Sequence, residues 1–359
     1  MKKVKVRKGM PSVALSRAEF AERFKALFYD PMFAQNAADI KSLLPQAWTS
    51  YHDSHKSPRT RKAGKGFADP AYDLSVEWYE AHRAVAKAER EYRDPKSRSR
   101  ILLINGSMRS DQTCPGEVSK SWRLMMMARK VIEAERGFET EVLDLSRLTS
   151  EYGRIIHPCK ACVSTAMPLC HWPCSCYPNH ALGQVNDWMN EIYPMWVRAH
   201  GIMIVTPVNW YQAPAGLKAM IDRLVCADGG NPDPTSTHGK DPDAAKALEL
   251  EGWPYPRHLA GRLFSVIVHG DASGTENLRR ILTDWLTDMG LMPAGHKAVL
   301  DRYVGYYADY ATSHDDLDAD KPFQEEVRNA AHALIAAIKL QRKGKLTPAD
   351  AGIKDPRPK

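Results

Sequence analysis

A chain of 359 residues is long enough for one large α/β domain with extensions, or for two domains, and no stretch approaches the ~18 uncharged apolar residues of a membrane helix. The start, Met1-Lys2-Lys3-Val4-Lys5, is charged with no apolar signal core behind it, so a cytoplasmic location is expected. The net charge of +7 is uneven: residues 1–100 carry 21 Lys/Arg against 12 Asp/Glu, and the remainder 29 against 31. No helix-turn-helix, zinc-finger or RNA-platform pattern accompanies the basic stretch, which therefore reads as a solvated arm rather than a nucleic-acid surface.

In chain order, residues 16–45 read as helical, because Phe20, Phe24, Leu27 and Phe28 share one face, and Ser16 with Glu19 has the form of a capping box. Residues 51–70 are polar, basic and broken by Pro and Gly, hence a loop. Residues 72–92 carry Leu74, Trp78, Ala81, Val85 and Ala88 on one stripe, a second helix, and 93–98 is a linker. These expectations define a helical N-terminal extension over 1–98, a main domain over 99–345 and a tail over 346–359. The arm is too small to make its own core, so it should pack on the main domain or on a partner subunit.

From residue 100 the rhythm changes. Ile101 to Ile104 is a fully apolar run, as for a strand buried on both faces, and a helix follows from near Ser119 to Glu135. Strands are expected at Glu139–Leu145, Gly201–Thr206, Leu263–Val268 and His296–Leu300, and helices at Gln184–Arg198, Ala215–Val225, Glu276–Met289 and Pro322–Gln341. Residues 228–258 read as an insertion rich in Pro, Gly and Asp. Strands alternating with helices imply a parallel sheet with right-handed crossovers. In such sheets ligands bind beyond the carboxyl ends of the strands.

Three of those ends carry unusual chemistry. The first, from Asn105 through Ser121, offers Gly106, Ser107, Thr113, Ser119 and Ser121 for hydroxyls or close backbone approach, and Arg109 for charge, just before a helix. That is what a phosphate requires. No G-x-G-x-x-G follows the strand, so a dinucleotide fold is not indicated. The second, Thr206 to Leu224, is stiffened by Pro207 and Pro214 and displays Val208, Asn209, Trp210 and Tyr211, the two aromatics being flat surfaces suited to a planar ring. The third, His269 to Glu276, has Gly270 and Gly274 for backbone approach, His269 or Asp271 as an acid or base, and Ser273 or Thr275 as a natural helix cap.

Together these loops resemble the NADPH-dependent FMN reductase branch of the flavodoxin-like superfamily, over roughly residues 100–300. The most specific element is Thr-Pro-x6-Pro-x2-Leu-Lys-x2-Ile-Asp-Arg, Thr206 to Arg223, supported by Gly-Ser-x-Arg at Gly106 to Arg109. The resemblance implies a five-stranded parallel sheet in the order 2-1-3-4-5. It assigns the FMN phosphate to Ser107, Arg109, Thr113 and Ser119, and the ring to Pro207, Asn209, Trp210, Tyr211, Gly270 and Asp271, with Val208, His269 and Gly274 completing the candidate set. The first loop is several residues longer than usual. NAD(P)H is the expected co-substrate, and a quinone, flavin, nitro compound or azo compound the acceptor. Flavin N5 carries the chemistry, so no catalytic side chain is required. The alternative is an electron-transfer flavoprotein without direct NAD(P)H oxidation. A homodimer or larger homo-oligomer is expected, with no membrane and no nucleic-acid partner.

Five of the seven cysteines fall between Cys159 and Cys176, and Pro158-Cys159-Lys160-Ala161-Cys162 sits where iron–sulfur flavoproteins of the superfamily carry Pro-Cys-x-x-Cys. Cys159, Cys162, Cys170, Cys174 and Cys176 are the ligand candidates for an iron–sulfur cluster or zinc. The long gap from Cys162 to Cys170, and Trp172-Pro173 between Cys170 and Cys174, favour instead a metal-free packed loop that shapes the substrate pocket.

Overall fold

The computed structural model describes residues 3–53, 57, 59–177, 186–271, 273–305 and 309–347. It divides into two compact units: residues 81–159, 188–229 and 255–359 form one, and residues 1–80, 160–187 and 230–254 the other. This partition differs from a simple N-terminal arm over 1–98. Residues 1–80 group with two segments that interrupt the sheet unit, and the helix Val76–Arg93 passes from one unit into the other.

The larger unit is an α/β sheet. Its strands are β1 (Ser99–Asn105), β2 (Phe138–Asp144), β3 (Gly201–Pro207), β4 (Leu263–Gly270), β5 (Met292–Pro293) and β6 (Val299–Tyr303). They hydrogen-bond in the order β2-β1-β3-β4, with β5 and β6 sharing the last edge against successive parts of β4, and every pairing is parallel. The expected fifth strand at 296–300 is thus split, because a 3-10 turn at His296–Ala298 interrupts it.

The helices are α1 (Lys120–Ala134), α2 (Met189–Arg198), α3 (Ala215–Arg223), α4 (Thr275–Asp288) and α5 (Lys321–Arg342). Two positions of the expected second helix, Gln184 and Val185, lie outside the described residues. Alternate strand residues serve opposite faces. Ile101, Leu103, Met203 and Val205 join a core with Leu124, Ala128 and Ile132 of α1 and Val327, Ala331 and Leu334 of α5. Among the other helices, Trp196 of α2 meets Trp285 of α4 edge-on at 5.9 Å. Every residue of Ile101–Ile104 and Ile202–Val205 has zero exposure, which explains their uninterrupted apolar pattern.

The smaller unit is built from short pieces. Ser16 and Glu19 form the expected capping box at Arg17–Ala26, but the helix does not run to 45. Pro31 lacks an N–H and disfavours helical backbone before it, so a 3-10 turn at Pro31–Asn36 intervenes before Ala37–His52. Thr60–Lys62, in the region expected to be loop, pairs antiparallel with Asp73–Ser75, so the helix expected from residue 72 begins only at Val76. The insertion holds a helix, Pro242–Leu250, capped by Asp241. No helix among the described residues is long and apolar enough to cross a membrane.

Candidate functional site

The carboxyl ends of β1, β3 and β4 and the start of α1 enclose a cavity of about 480 Å³ within the sheet unit. That lies inside the range of about 300–1,000 Å³ typical of small-molecule sites. Ten of the residues expected from sequence line it: Ser107, Arg109, Thr113, Ser119, Pro207, Val208, Asn209, His269, Gly270 and Asp271. Trp210, Tyr211 and Gly274 do not. Cys114 is among the lining residues; Cys159, Cys162, Cys170, Cys174 and Cys176 are not.

The first loop is a pre-formed turn. The Asn105 side chain donates to Asp144 Oδ1 at 2.7 Å and accepts from the Ser107 N–H at 3.2 Å, and Ser107 Oγ accepts from the Arg109 N–H at 3.1 Å. Thr149 Oγ1 shares its one proton between the Met108 carbonyl at 2.8 Å and the Ser146 carbonyl at 2.7 Å, bracing the turn from outside. Gly106 is required here: a Cβ would lie 2.5 Å from Thr206 Oγ1 and 2.6 Å from Thr206 Cβ.

The hydroxyls in this loop have distinct duties. Thr113 Oγ1 donates to the Ser110 carbonyl at 2.8 Å, so its single proton is committed inside the loop. Ser119 Oγ caps α1 by accepting from the Trp122 N–H at 3.1 Å, which leaves its own proton available to a ligand. Helix α1 therefore begins at the cavity wall, where backbone N–H groups lack intrahelical acceptors.

Cations gather at the same wall. Burial holds the Lys120 ammonium below the usual lysine range; Asp271 and Glu117 oppose the shift, and Arg109 and Arg123 add to it. Arg109 reaches Glu117 at 3.4 Å. Arg123 can only donate, so its contact at 3.0 Å makes His314 Nδ1 an acceptor, and His314 Nε2–H then donates to Glu117 at 3.2 Å. Burial keeps His314 below its ordinary pKa. Lys120 and His314 join the site without a sequence signal of their own: Lys120 lies within the first loop, and His314 lies beyond the last strand of the sheet.

His269 is 5% exposed and its Nε2 lies 2.7 Å from Ser121 Oγ. Burial, with the charges of Lys120 and His314, lowers its pKa to about 3, so it is neutral at physiological pH. The helix after β4 begins differently from expectation: Gly274, at φ +106°, occupies the cap position without a side-chain bond, and Thr275 is the first helical residue.

The loop after β3 is a two-residue hairpin. The Asn209 N–H donates to the Gln212 carbonyl and the Gln212 N–H to the Asn209 carbonyl, both at 2.9 Å. Trp210 and Tyr211 fill its tip at φ 46° and 64°. Turns with both central residues at positive φ prefer Asn-Gly, and each non-glycine residue there costs roughly 1–2 kcal/mol. Trp210 is nonetheless 94% exposed, and Tyr211 packs so closely on Gly274 that a Cβ there would lie 2.9 Å from Tyr211 Cα. Strained backbone carrying exposed aromatics is characteristic of ligand clamps.

Cys162, Cys170, Cys174 and Cys176 belong to the smaller unit, and Cys159 to the sheet unit. Cys162 Sγ lies 3.3 Å from Cys176 Sγ, and none of the seven cysteines is in a disulfide. The contact with Cys176, foremost, lowers the Cys162 thiol to about 7, with Lys240 assisting, and the same contact raises Cys176. Among the described residues no group of three or more His, Cys, Asp or Glu side chains is disposed to hold a metal ion.

Known proteins share parts of this chain. An iron-sulfur flavoprotein of Methanosarcina thermophila is 32% identical over 126 residues, which are 35% of this chain and 52% of that protein, so the match spans about half the length of that relative. Solved structures with a similar fold include RosB with a bound 8-demethyl-8-formylriboflavin-5'-phosphate intermediate (14% identity, 69% of this chain, 82% of that one, TM-score 0.45). An FMN-dependent NADH-azoreductase of Bacillus anthracis in complex with FMN is another (17% identity, 66% of this chain, 99% of that one, TM-score 0.37). The family model for NADPH-dependent FMN reductases matches residues 99–304, more than half of the chain and the whole of the three-loop site. The chain belongs to the NADPH-dependent FMN reductase family.

Proposed function

We propose that the cavity holds FMN and that the protein oxidises NAD(P)H, passing the electrons to a small acceptor such as a quinone, a flavin or a nitro or azo compound. One observation carries the reading: Ser107, Arg109, Ser119 and Lys120 line one cavity at the start of α1, where backbone N–H groups and two cations suit a phosphate. In this reading Ser107, Ser119, Arg109 and Lys120 hold the phosphate. Thr113 shapes the loop around them. The ring lies between Pro207–Asn209 and His269–Asp271, with Trp210 and Tyr211 screening it from water. Bound FMN supplies hydride and electron transfer. The protein binds and orients it; neutral His269 fixes Ser121 without adding a competing charge.

The test is reconstitution with FMN, followed by NADH and NADPH oxidation against a panel of acceptors. Turnover with one nicotinamide and at least one acceptor supports the reading. Tight FMN binding without nicotinamide oxidation would favour the second reading, an electron-transfer flavoprotein, which the partial likeness to an iron-sulfur flavoprotein supports.

A further inference from the structure

The clustered cysteines play no part in the flavin site, yet their arrangement is not that of inert core thiols. Cys162 and Cys176 approach to 3.3 Å between sulfurs. A disulfide bond is about 2.05 Å, so closure asks for a shift of about 1.2 Å. Cys162 is half-buried, whereas Cys170, Cys174 and Cys176 are buried at 6–9% exposure, so Cys162 is the sulfur a solute reaches first. It opens a three-residue 3-10 turn whose preceding residue, Ala161, is held at φ 50°, a left-handed conformation that alanine rarely adopts. Local strain of this kind collects at functional positions. Lys240 turns its ammonium to the Leu169 carbonyl at 2.9 Å and lies within electrostatic reach of Cys162, Cys170, Cys174 and Cys176.

We propose that Cys162 and Cys176 form a redox-active dithiol that closes to an intramolecular disulfide at the expense of a small-molecule disulfide. Cys162, its proton released to solvent, attacks one sulfur of the substrate. The substrate S–S bond breaks, the first thiolate leaves and takes up a proton, and a mixed disulfide forms on Cys162. Cys176 then loses its proton and attacks Cys162 Sγ; the Cys162–Cys176 bond forms and the second substrate thiolate leaves and is protonated. Two protein thiols are oxidised and one disulfide is reduced to two thiols, so atoms and electrons balance. The adjacent Cys174, hydrogen-bonded to Cys176, is the competing partner for that sulfur.

The experiment uses the full chain, purified anaerobically under reductant, freed of reductant and treated with oxidised glutathione. Cys114 is exposed and is changed to Ser throughout to remove its background. The expected result is the loss of two titratable thiols per chain and a Cys162–Cys176 cross-linked peptide in non-reducing mass spectrometry. Cys176→Ser should stop at a glutathione adduct on Cys162, and Cys162→Ser should form neither product. The unsubstituted pair decides the matter by peptide mapping alone if either variant fails to fold. No cross-link, a Cys174–Cys176 cross-link, or iron or zinc retained on these thiols would overturn the proposal. FMN binding measured on the same samples keeps its failure distinct from failure of the flavin reading.

Discussion

Acid should unfold this protein through two histidines before its carboxylates matter. His269 is lowered to about 3, first by burial, and His200 to about 4, by burial and then by Arg342. Both are at most 5% exposed. An unfolded histidine titrates near 6.5, so below that pH the unfolded chain binds the additional protons and the folded state loses stability as pH falls towards the folded values. The loss approaches about 1.4 kcal/mol per pH unit per histidine below the unfolded value, and sums to about 1.7 kcal/mol each between pH 6.5 and 5. The glutamates with lowered pKa values, Glu19, Glu77, Glu133 and Glu151, start from 4.5 and contribute below this window. Two histidines together remove about 3 kcal/mol, a large part of the roughly 5–15 kcal/mol that holds a typical domain. Urea unfolding of the flavin-free protein at pH 7, 6 and 5, compared with His269→Gln and His200→Gln, measures the effect. Each substitution should flatten the pH slope by about 0.7 kcal/mol between pH 7 and 6 and about 1.2 kcal/mol between pH 6 and 5, whatever it does to stability at pH 7. A slope unchanged in both variants would refute the claim that these rings are buried neutral.

Three further outcomes are expected. Arg109→Ala removes a charge-assisted bond worth roughly 1.5–3 kcal/mol, so FMN affinity should fall about tenfold to a hundredfold; flavin fluorescence titration with no change would take Arg109 out of the site. Trp210→Gly relieves left-handed strain at an exposed tip, so the melting temperature should hold or rise while turnover of the reconstituted protein falls; a clear loss of stability would show that Trp210 is a packing residue. Sedimentation at micromolar concentration should show a dimer or larger homo-oligomer, and a clean monomer would reject the oligomer expectation.

The sheet was legible because its central strands are buried on both faces: Ile101–Ile104 stands between Arg100 and Asn105, and Leu263–Val268 between Arg262 and His269, as largely apolar runs. The cavity's loops were legible because they sit at strand ends and carry residue types rarely spent on packing. Pieces of the smaller unit were not, since Thr60–Lys62 is three polar residues with no alternation to read, and its pairing with Asp73–Ser75 is non-local. The duty of each hydroxyl was hidden too: Ser119 and Thr113 look equivalent in the sequence, and only their hydrogen bonds separate a residue with a proton to give from one whose proton is already committed. His314 gave no local signal because its partners, Arg123 and Glu117, come from a segment almost 200 residues earlier.

The central claim is that the wall formed by Arg109, Lys120 and the start of α1 is a phosphate site within a flavin cavity. Calorimetric titration of the flavin-free protein with FMN, riboflavin and FAD tests it most directly. One FMN per chain is expected, with riboflavin bound at least tenfold more weakly for want of the phosphate and FAD not preferred. Riboflavin binding as tightly as FMN, or a preference for FAD, would contradict the account.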